Sequence, residues 1–503
     1  MTRGISEESF IREFSESLKN GNASFFIGSG ISRKAQYVGW KDVLRECAID
    51  IGLDVEQEND LITLAEYYVR DNQRTKITET IKNFFADSKG EIQDIHKIIA
   101  SLPVNSVWTT NYDTLIERGF ASAGITTTVI TDDLSYRNID RTADVKIYKI
   151  HGSVKNADKC IIARRDYDEF ARTHDIVLSE LKGEMCSNSF LFLGYSFSDT
   201  DIQHILTRIR LTYDKEHPQR HFSIVETVKK LPTENEEEFT YRRNKQSHYV
   251  SDMQSYGINV LLVESYDKIE EILSSIRNRV LAHNVLISGA YEKSDSLSEL
   301  RISPVATKLS TELIKNGYKI YTGYGKNLGA DIVNGVYNAC SDLGAKSKKF
   351  DDNIVIYPFP YKGTNKESKK KIYFEIRSRM ASSTKIMIVI AGKNKSRNSA
   401  GVYQEYQLAK EQGNLIIPIA STGGSAREIW DELNRQNYYN DNELFQKLGT
   451  ETAPDEIVNV VMKLINDNGV KWDTKYLYHI NIAIQMLKRL LIIIGLTTQC
   501  ETM

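Results

Sequence analysis

Cysteine is scarce and scattered. Five residues (Cys47, Cys160, Cys186, Cys340 and Cys500) are spread over 503 positions with no pair at short spacing. That spacing excludes a zinc ribbon and a secreted disulfide framework and points to reduced thiols in a cytosolic protein. Neither sign of charge dominates: 65 Lys+Arg stand against 67 Asp+Glu, a formal −2. The chain therefore has no global field for DNA or RNA, although a nucleotide-sized ligand needs only a local cluster of positive groups. Apolar runs of membrane-spanning length are missing as well; a membrane span needs roughly 20 predominantly apolar residues. The first residues, Met1 to Asn20, have no apolar core of signal-peptide length. They read as an amphipathic helix capped by Ser6, with Phe10, Phe14 and Leu18 on one face. These absences lead us to expect a cytoplasmic protein with no transmembrane span, no metal and no nucleic-acid partner.

A chain of 503 residues exceeds what one hydrophobic core usually supports, so two or three domains are expected, and 41% hydrophobic content is enough to bury them. Three strands end in residues suited to chemistry. Ser24 to Ile27 delivers Gly28-Ser29-Gly30, Ser106 to Thr109 delivers Thr110-Asn111-Tyr112-Asp113, and Lys146 to Ile150 delivers His151-Gly152. In open α/β sheets, sites form at such carboxyl ends of strands. The helix Ile92 to Leu102 precedes the second of these strands, and a helix from Thr114 to Phe120 follows it. Beyond His151 come an expected short strand, Cys160 to Ala163, helices around Asp166 to Phe170 and Asp175 to Cys186, and an apolar run Phe190 to Leu193 ending at Gly194. Continuous apolar strands alternating with helices indicate a parallel sheet buried on both faces. The polar segment Lys229 to Ser247 reads as a solvated helix or excursion, and the strand Asn259 to Val263 with the helix Ile269 to Leu281 closes a first domain, residues 1–282.

Taken in order, Gly28-Ser29-Gly30-Ile31-Ser32, Thr110-Asn111-Tyr112-Asp113, His151-Gly152 and Gly194-Tyr195-Ser196-Phe197-Ser198-Asp199 resemble the motifs of the sirtuin-like NAD-binding fold. The resemblance implies that Gly28, Ser29 and Ser32 cradle the pyrophosphate of NAD, that Asp113 orients the nicotinamide ribose or the Asn loop, and that Gly194 and Ser196 complete the NAD site. It also implies that Asn111 and His151 are catalytic. The chemistry suits those residue types. Nicotinamide leaves the ribose as a neutral group, so the site must supply stabilisation of an oxocarbenium-like ribose, a positioned nucleophile and a base. A neutral His takes a proton from a ribose hydroxyl or water, and an Asn carboxamide orients both without adding charge. Two departures from the sirtuin deacylases bear on the reaction: the four-cysteine zinc ribbon is missing, and Gln36-Tyr37-Val38-Gly39-Trp40 stands where deacylases carry a Pro-Phe-Arg type segment. Water is then the expected acceptor and NAD the substrate.

Near Ala282 the pattern restarts. Val285 to Ile287 runs into Ser288-Gly289-Ala290, Tyr318 to Tyr321 into Thr322-Gly323-Tyr324-Gly325, Ile354 to Tyr357 into Pro358-Phe359-Pro360, and Lys385 to Ile390 into Ala391-Gly392-Lys393; Leu415 to Ile419 is a last strand. Small-residue turns before helix N-termini suit phosphates. Residues 284–467 resemble the SLOG family of nucleotide sensors. The expected fold is therefore α/β, with two Rossmann-like domains on parallel sheets flanked by helices and a C-terminal helical tail, residues 470–503. The tail from Tyr476 to Leu496 is interrupted by His479, Asn481, Gln485, Lys488 and Arg489, and reads as an amphipathic helix for a protein surface, with a membrane surface as the alternative.

The two domains in this order resemble the NAD-hydrolase effectors of the bacterial Thoeris antiphage system. That resemblance implies a cyclic ADP-ribose isomer, made by a TIR-domain partner, as the activating signal, and a homo-oligomer, tetramer or filament. Its signal contacts fall on Ser288, Gly289, Gly323, Gly325, Phe359, Arg377, Lys393, Gly401 and Glu405. Arg377 suits a phosphate fork, Phe359 a purine stacking surface and Glu405 a hydroxyl or amino acceptor. Three other readings stay open: a non-catalytic NAD or ADP-ribose sensor, a SLOG half that cleaves nucleotide monophosphates, and a protein deacylase.

Overall fold

A strand made of Ala23–Ile27, with every residue buried, sits at the centre of the first sheet. In the computed structural model the chain divides between Val280 and Leu281 into two units, each built on its own parallel sheet. The structure describes residues 4–35, 37, 39–71, 74–86, 90–197, 202–207, 221–292, 296–343, 349–360, 365–394, 397–440 and 442–469.

The first unit carries β1 (Ala23–Ile27), β2 (Ser106–Thr109), β3 (Thr127–Ile130), β4 (Val145–Lys149), β5 (Ser189–Leu193), β6 (His221–Glu226) and β7 (Ile258–Val263) in the order β3-β4-β2-β1-β5-β6-β7. All pairings are parallel. The chain starts at β1, adds β2 to β4 on one side and then crosses to β5 on the other. The connections out of β1 and β5 therefore lead to opposite sides of the sheet, which marks the switch point where open α/β sheets bind ligands. The helix Glu7–Lys19 forms as the sequence indicates. Ser6 accepts from Ser9 N, and Phe10 and Phe14 meet Phe222 edge-on at 5.3 and 5.8 Å. The helices Trp40–Asp50, Leu61–Asp71 and Thr75–Phe84 build a separate apolar lobe from residues such as Val43, Leu44, Leu64 and Ile77, which also takes in Tyr112.

The second unit carries β8 (Asn284–Ala290), β9 (Lys319–Thr322), β10 (Ile354–Ile356), β11 (Ile386–Ala391), a short antiparallel ribbon of β12 (Lys393–Asn394) and β13 (Arg397–Asn398), and β14 (Leu415–Ile419). Its main sheet runs β10-β9-β8-β11-β14, all parallel.

Two differences from the sequence reading have physical causes. Strand β3 alternates buried and half-buried residues over only four positions at the sheet edge, and β6 carries His221 and Ser223, so neither shows a continuous apolar run. Cys160 to Ala163 is not a strand. Its backbone groups are satisfied outside any ladder: Ile161 N donates to His151 O at 2.9 Å and Tyr112 Oη donates to Ile161 O at 2.6 Å. Of the two readings of the polar segment the structure takes the helix, Glu236–Ser255, capped by Asn235. Ser198, Asp199, Lys395 and the tail 470–503 lie outside the described residues.

Candidate functional site

The loops leaving β1 and β5 touch backbone to backbone. Gly28 N donates to Leu193 O at 2.8 Å and Gly30 N to Gly194 O at 3.0 Å. A Cβ on Gly28 would collide with Gly194 O, one on Gly30 would lie 2.8 Å from Gly194 Cα, and one on Gly194 would lie 2.7 Å from Ile31 N. Gly194 also has φ +61, a conformation side chains resist. These glycines are therefore required by the close approach itself. Ser29 and Ser196 are exposed beside it.

Next along the sheet, Thr109 Oγ1 donates to Ile27 O at 2.7 Å and accepts from Asn111 N at 3.0 Å, which locks the start of the Asn loop to β1. The Asn111 carboxamide is buried, and its Nδ2 lies 3.1 Å from both Gly28 O and Ser32 Oγ. Ser32 Oγ in turn donates to Asp113 Oδ2 at 2.8 Å. A backbone carbonyl and a carboxylate only accept, so both amide hydrogens of Asn111 are spent and its Oδ1 remains the acceptor. That oxygen is buried with no hydrogen-bond partner among the described residues. Asp113 Oδ1 accepts from Leu115 N at 3.0 Å and starts the helix Leu115–Ser122.

His151 stands on the adjacent strand end. Thr109 pairs with Lys149 in the β2–β4 register, so Asn111 and His151 each lie two residues beyond the paired positions. The His151 ring is 6% exposed and meets Tyr167 and Phe170 edge-on at 5.7 and 6.0 Å. Lys149 is a residue that sequence reasoning missed: it is fully buried, pairs with Glu117 at 3.3 Å and donates to Asp113 O. A cleft of about 590 Å³ lies elsewhere in the unit, lined by residues including Thr131, Arg137, Asp166 and His174, and does not include Asn111 or His151.

In the second unit the expected signal-contacting residues converge through their own contacts. Ser288 Oγ donates to Glu405 Oε2 at 2.5 Å, and Glu405 Oε1 lies 3.4 Å from Arg377 Nε. The Arg377 guanidinium sits 4.9 Å from the Phe359 ring centroid and 5.3 Å from that of Tyr373. Gly401 lies against Arg377 Nη2, Gly323 against Phe359, and Gly325 against the Gly289 carbonyl. Lys393 occupies the first strand of the β12–β13 ribbon. Two features were not visible in the sequence: Gln404 Oε1 accepts from Arg377 Nη1 at 2.7 Å, and Tyr373 flanks the guanidinium. Burial pushes the Glu405 carboxyl above the usual range, against the opposing pull of Ser288 and Arg377.

Residues 105–250 match the family model described as a SIR2-like domain, and residues 268–468 match that of the Sir2- and TIR-associating SLOG family. The chain is 31% identical to the NAD(+) hydrolase ThsA of Bacillus cereus (strain MSX-D12) over 91% of its own length and 98% of that relative. It is 32% identical to the NAD(+) hydrolase ThsA of Cytobacillus dafuensis, covering 86% of this chain and 90% of that one. A third ThsA, from Acinetobacter baumannii (strain 532279), is 31% identical over 89% of this chain and 95% of its own. With these identities extending through both sheets in the same order, the chain belongs to the ThsA family.

Proposed function

We propose that the first unit hydrolyses NAD+ to ADP-ribose and nicotinamide. The observation that carries this reading is the Asn111 Oδ1 atom, a buried acceptor left over after both amide hydrogens are spent. Such an oxygen accepts from a ribose hydroxyl or from attacking water without placing a charge beside the developing oxocarbenium. His151 is the base that takes the proton, and Gly28, Ser29, Ser32, Asp113, Gly194 and Ser196 surround the dinucleotide. The ThsA relatives, named as NAD(+) hydrolases, support the substrate.

The second unit reads a cyclic ADP-ribose isomer made by a TIR-domain partner, through Ser288, Gly289, Gly323, Gly325, Phe359, Arg377, Lys393, Gly401 and Glu405. The TIR association in the family description supports that partner. Signal binding activates a cytoplasmic homo-oligomer, tetramer or filament, and the resulting NAD depletion aborts phage infection. Coupling requires that the signal bind the active arrangement more tightly than the resting one. Purified chain incubated with NAD+, with and without cyclic ADP-ribose isomers, while particle size is followed by light scattering, tests both halves. The expected result is faster NAD loss with one isomer, accompanied by a change in assembly. Signal binding with no NAD loss in any condition would instead identify a non-catalytic sensor.

A further inference from the structure

We propose that Lys149 is a positioning residue for the candidate active site: its buried ammonium ties the Asn111–Asp113 loop to the strand end that carries His151. The inference rests on the hydrolase reading for its kinetic consequence, but its structural consequence is independent of that reading.

Lysine is almost never fully buried unless paired, because removing an ammonium from water is costly. Lys149 has a side-chain exposure of 0%, as the last residue of β4, between the buried Tyr148 and Ile150. An apolar residue would satisfy that position if packing were the only requirement. Among the described residues the ammonium has two partners, the Glu117 carboxylate at 3.3 Å and the backbone carbonyl of Asp113. Neither Glu117 oxygen has a hydrogen-bond partner among the described residues, so the ion pair with Lys149 is what compensates its charge. The Asp113 carbonyl belongs to the residue whose carboxylate receives Ser32 Oγ at 2.8 Å, and Ser32 receives Asn111 Nδ2 at 3.1 Å. Two residues beyond Lys149 is His151. One side chain thus links both candidate catalytic groups: His151 through the strand it ends, and Asn111 through Asp113 and Ser32. Glu117 supplies the counter-charge from the helix that the same loop begins.

Removing Lys149 alone would strand the buried Glu117 charge and unfold the chain for reasons unrelated to the loop. Two charge-free pairs separate the roles. Lys149→Met with Glu117→Leu replaces the ion pair by apolar groups and leaves the Asp113 carbonyl without its donor. Lys149→Gln with Glu117→Gln also removes both charges but keeps a neutral hydrogen-bond donor, one bond shorter than lysine, beside that carbonyl. Two readouts are made on the full chain: amide hydrogen exchange of the segment 110–114, and kcat and KM for NAD+. The inference expects the Met/Leu pair to exchange that segment about tenfold faster or more, while the β1 and β5 amides stay protected. Its kcat should fall by about 100-fold with KM nearly unchanged, and the Gln/Gln pair should recover both properties. Equal exchange and equal kcat in the two pairs would overturn it, because a merely structural ion pair is replaced as well or better by Met and Leu. If the unmodified chain releases no nicotinamide, the hydrolase reading fails while the exchange comparison still decides the role of Lys149.

Discussion

Asn111 Nδ2 is held by Ser32 Oγ at 3.1 Å, and that hydroxyl is itself turned by Asp113. The carboxamide is therefore oriented by a side chain 79 positions away in sequence. Replacing Ser32 by Ala removes the second hydrogen-bond acceptor and frees the amide to turn. Hydrolysis of NAD+ is expected to drop by about 10- to 100-fold in kcat, with little change in thermal midpoint. Steady-state kinetics alongside a melting curve check this, and an unchanged kcat would show that the amide needs no such support.

The contact of the β1 and β5 loops is a stability feature before it is a binding feature. Gly194→Ala places a side chain at φ +61 and 2.7 Å from Ile31 N. Strain of this kind costs about 1–3 kcal/mol before any clash is counted, so the urea midpoint of the first unit's transition should move down accordingly. A midpoint equal to that of the unmodified chain would mean the two loops are not in contact.

Glu184 lies beneath the sheet, where its Oε2 accepts from Ser106 Oγ at 2.5 Å, Trp108 Nε1 at 2.9 Å and Ser24 Oγ at 3.3 Å. Burial raises its carboxyl above the usual range despite these donors. The folded chain then holds a proton that the unfolded chain has already released. This contribution to stability is present at low pH and is lost as pH rises from about 4.3 through the raised value. Glu184→Gln keeps a neutral acceptor for the same donors. Its melting temperature should exceed that of the unmodified chain by a margin that widens with pH, whereas parallel curves would contradict the assignment.

In the second unit, Arg377 is already engaged by Gln404 and Glu405. A phosphate-bearing signal must compete with those partners for the guanidinium. Arg377→Ala should abolish activation by a cyclic ADP-ribose isomer, while Gln404→Ala, which frees Nη1, should tighten its binding by about fivefold, the worth of one modest hydrogen bond. Isothermal titration of both variants measures this, and weaker binding by Gln404→Ala would make that residue a contact instead of a competitor.

Much of this architecture is legible in the chain. Fully buried strands such as Phe190 to Leu193 and Ile386 to Ile390 appear as unbroken apolar runs, and the residues proposed for the sites stand at strand ends. Strand β3 escaped because its alternation is short and lies at an edge, and β6 because polar residues break its run. Lys149 and Glu117, the Glu184 network and Gln404 are not legible for a different reason. A charged residue in a sequence looks solvated until register and helix packing bring its partner to it from far along the chain, as Lys149 with the Asp113 carbonyl 36 positions away and Glu184 with Ser24 160 positions away illustrate.

The central claim is that Asn111 and His151 act on one ribose. The most direct measurement follows release of nicotinamide and ADP-ribose from NAD+ by the purified chain, side by side with Asn111→Ala and His151→Ala, under whichever signal condition gives the highest rate. Loss of a positioned base or oriented amide is expected to lower the rate by about 10²- to 10⁴-fold in each variant, with both still folded by circular dichroism. Hydrolysis by either variant at the rate of the unmodified chain would contradict the account.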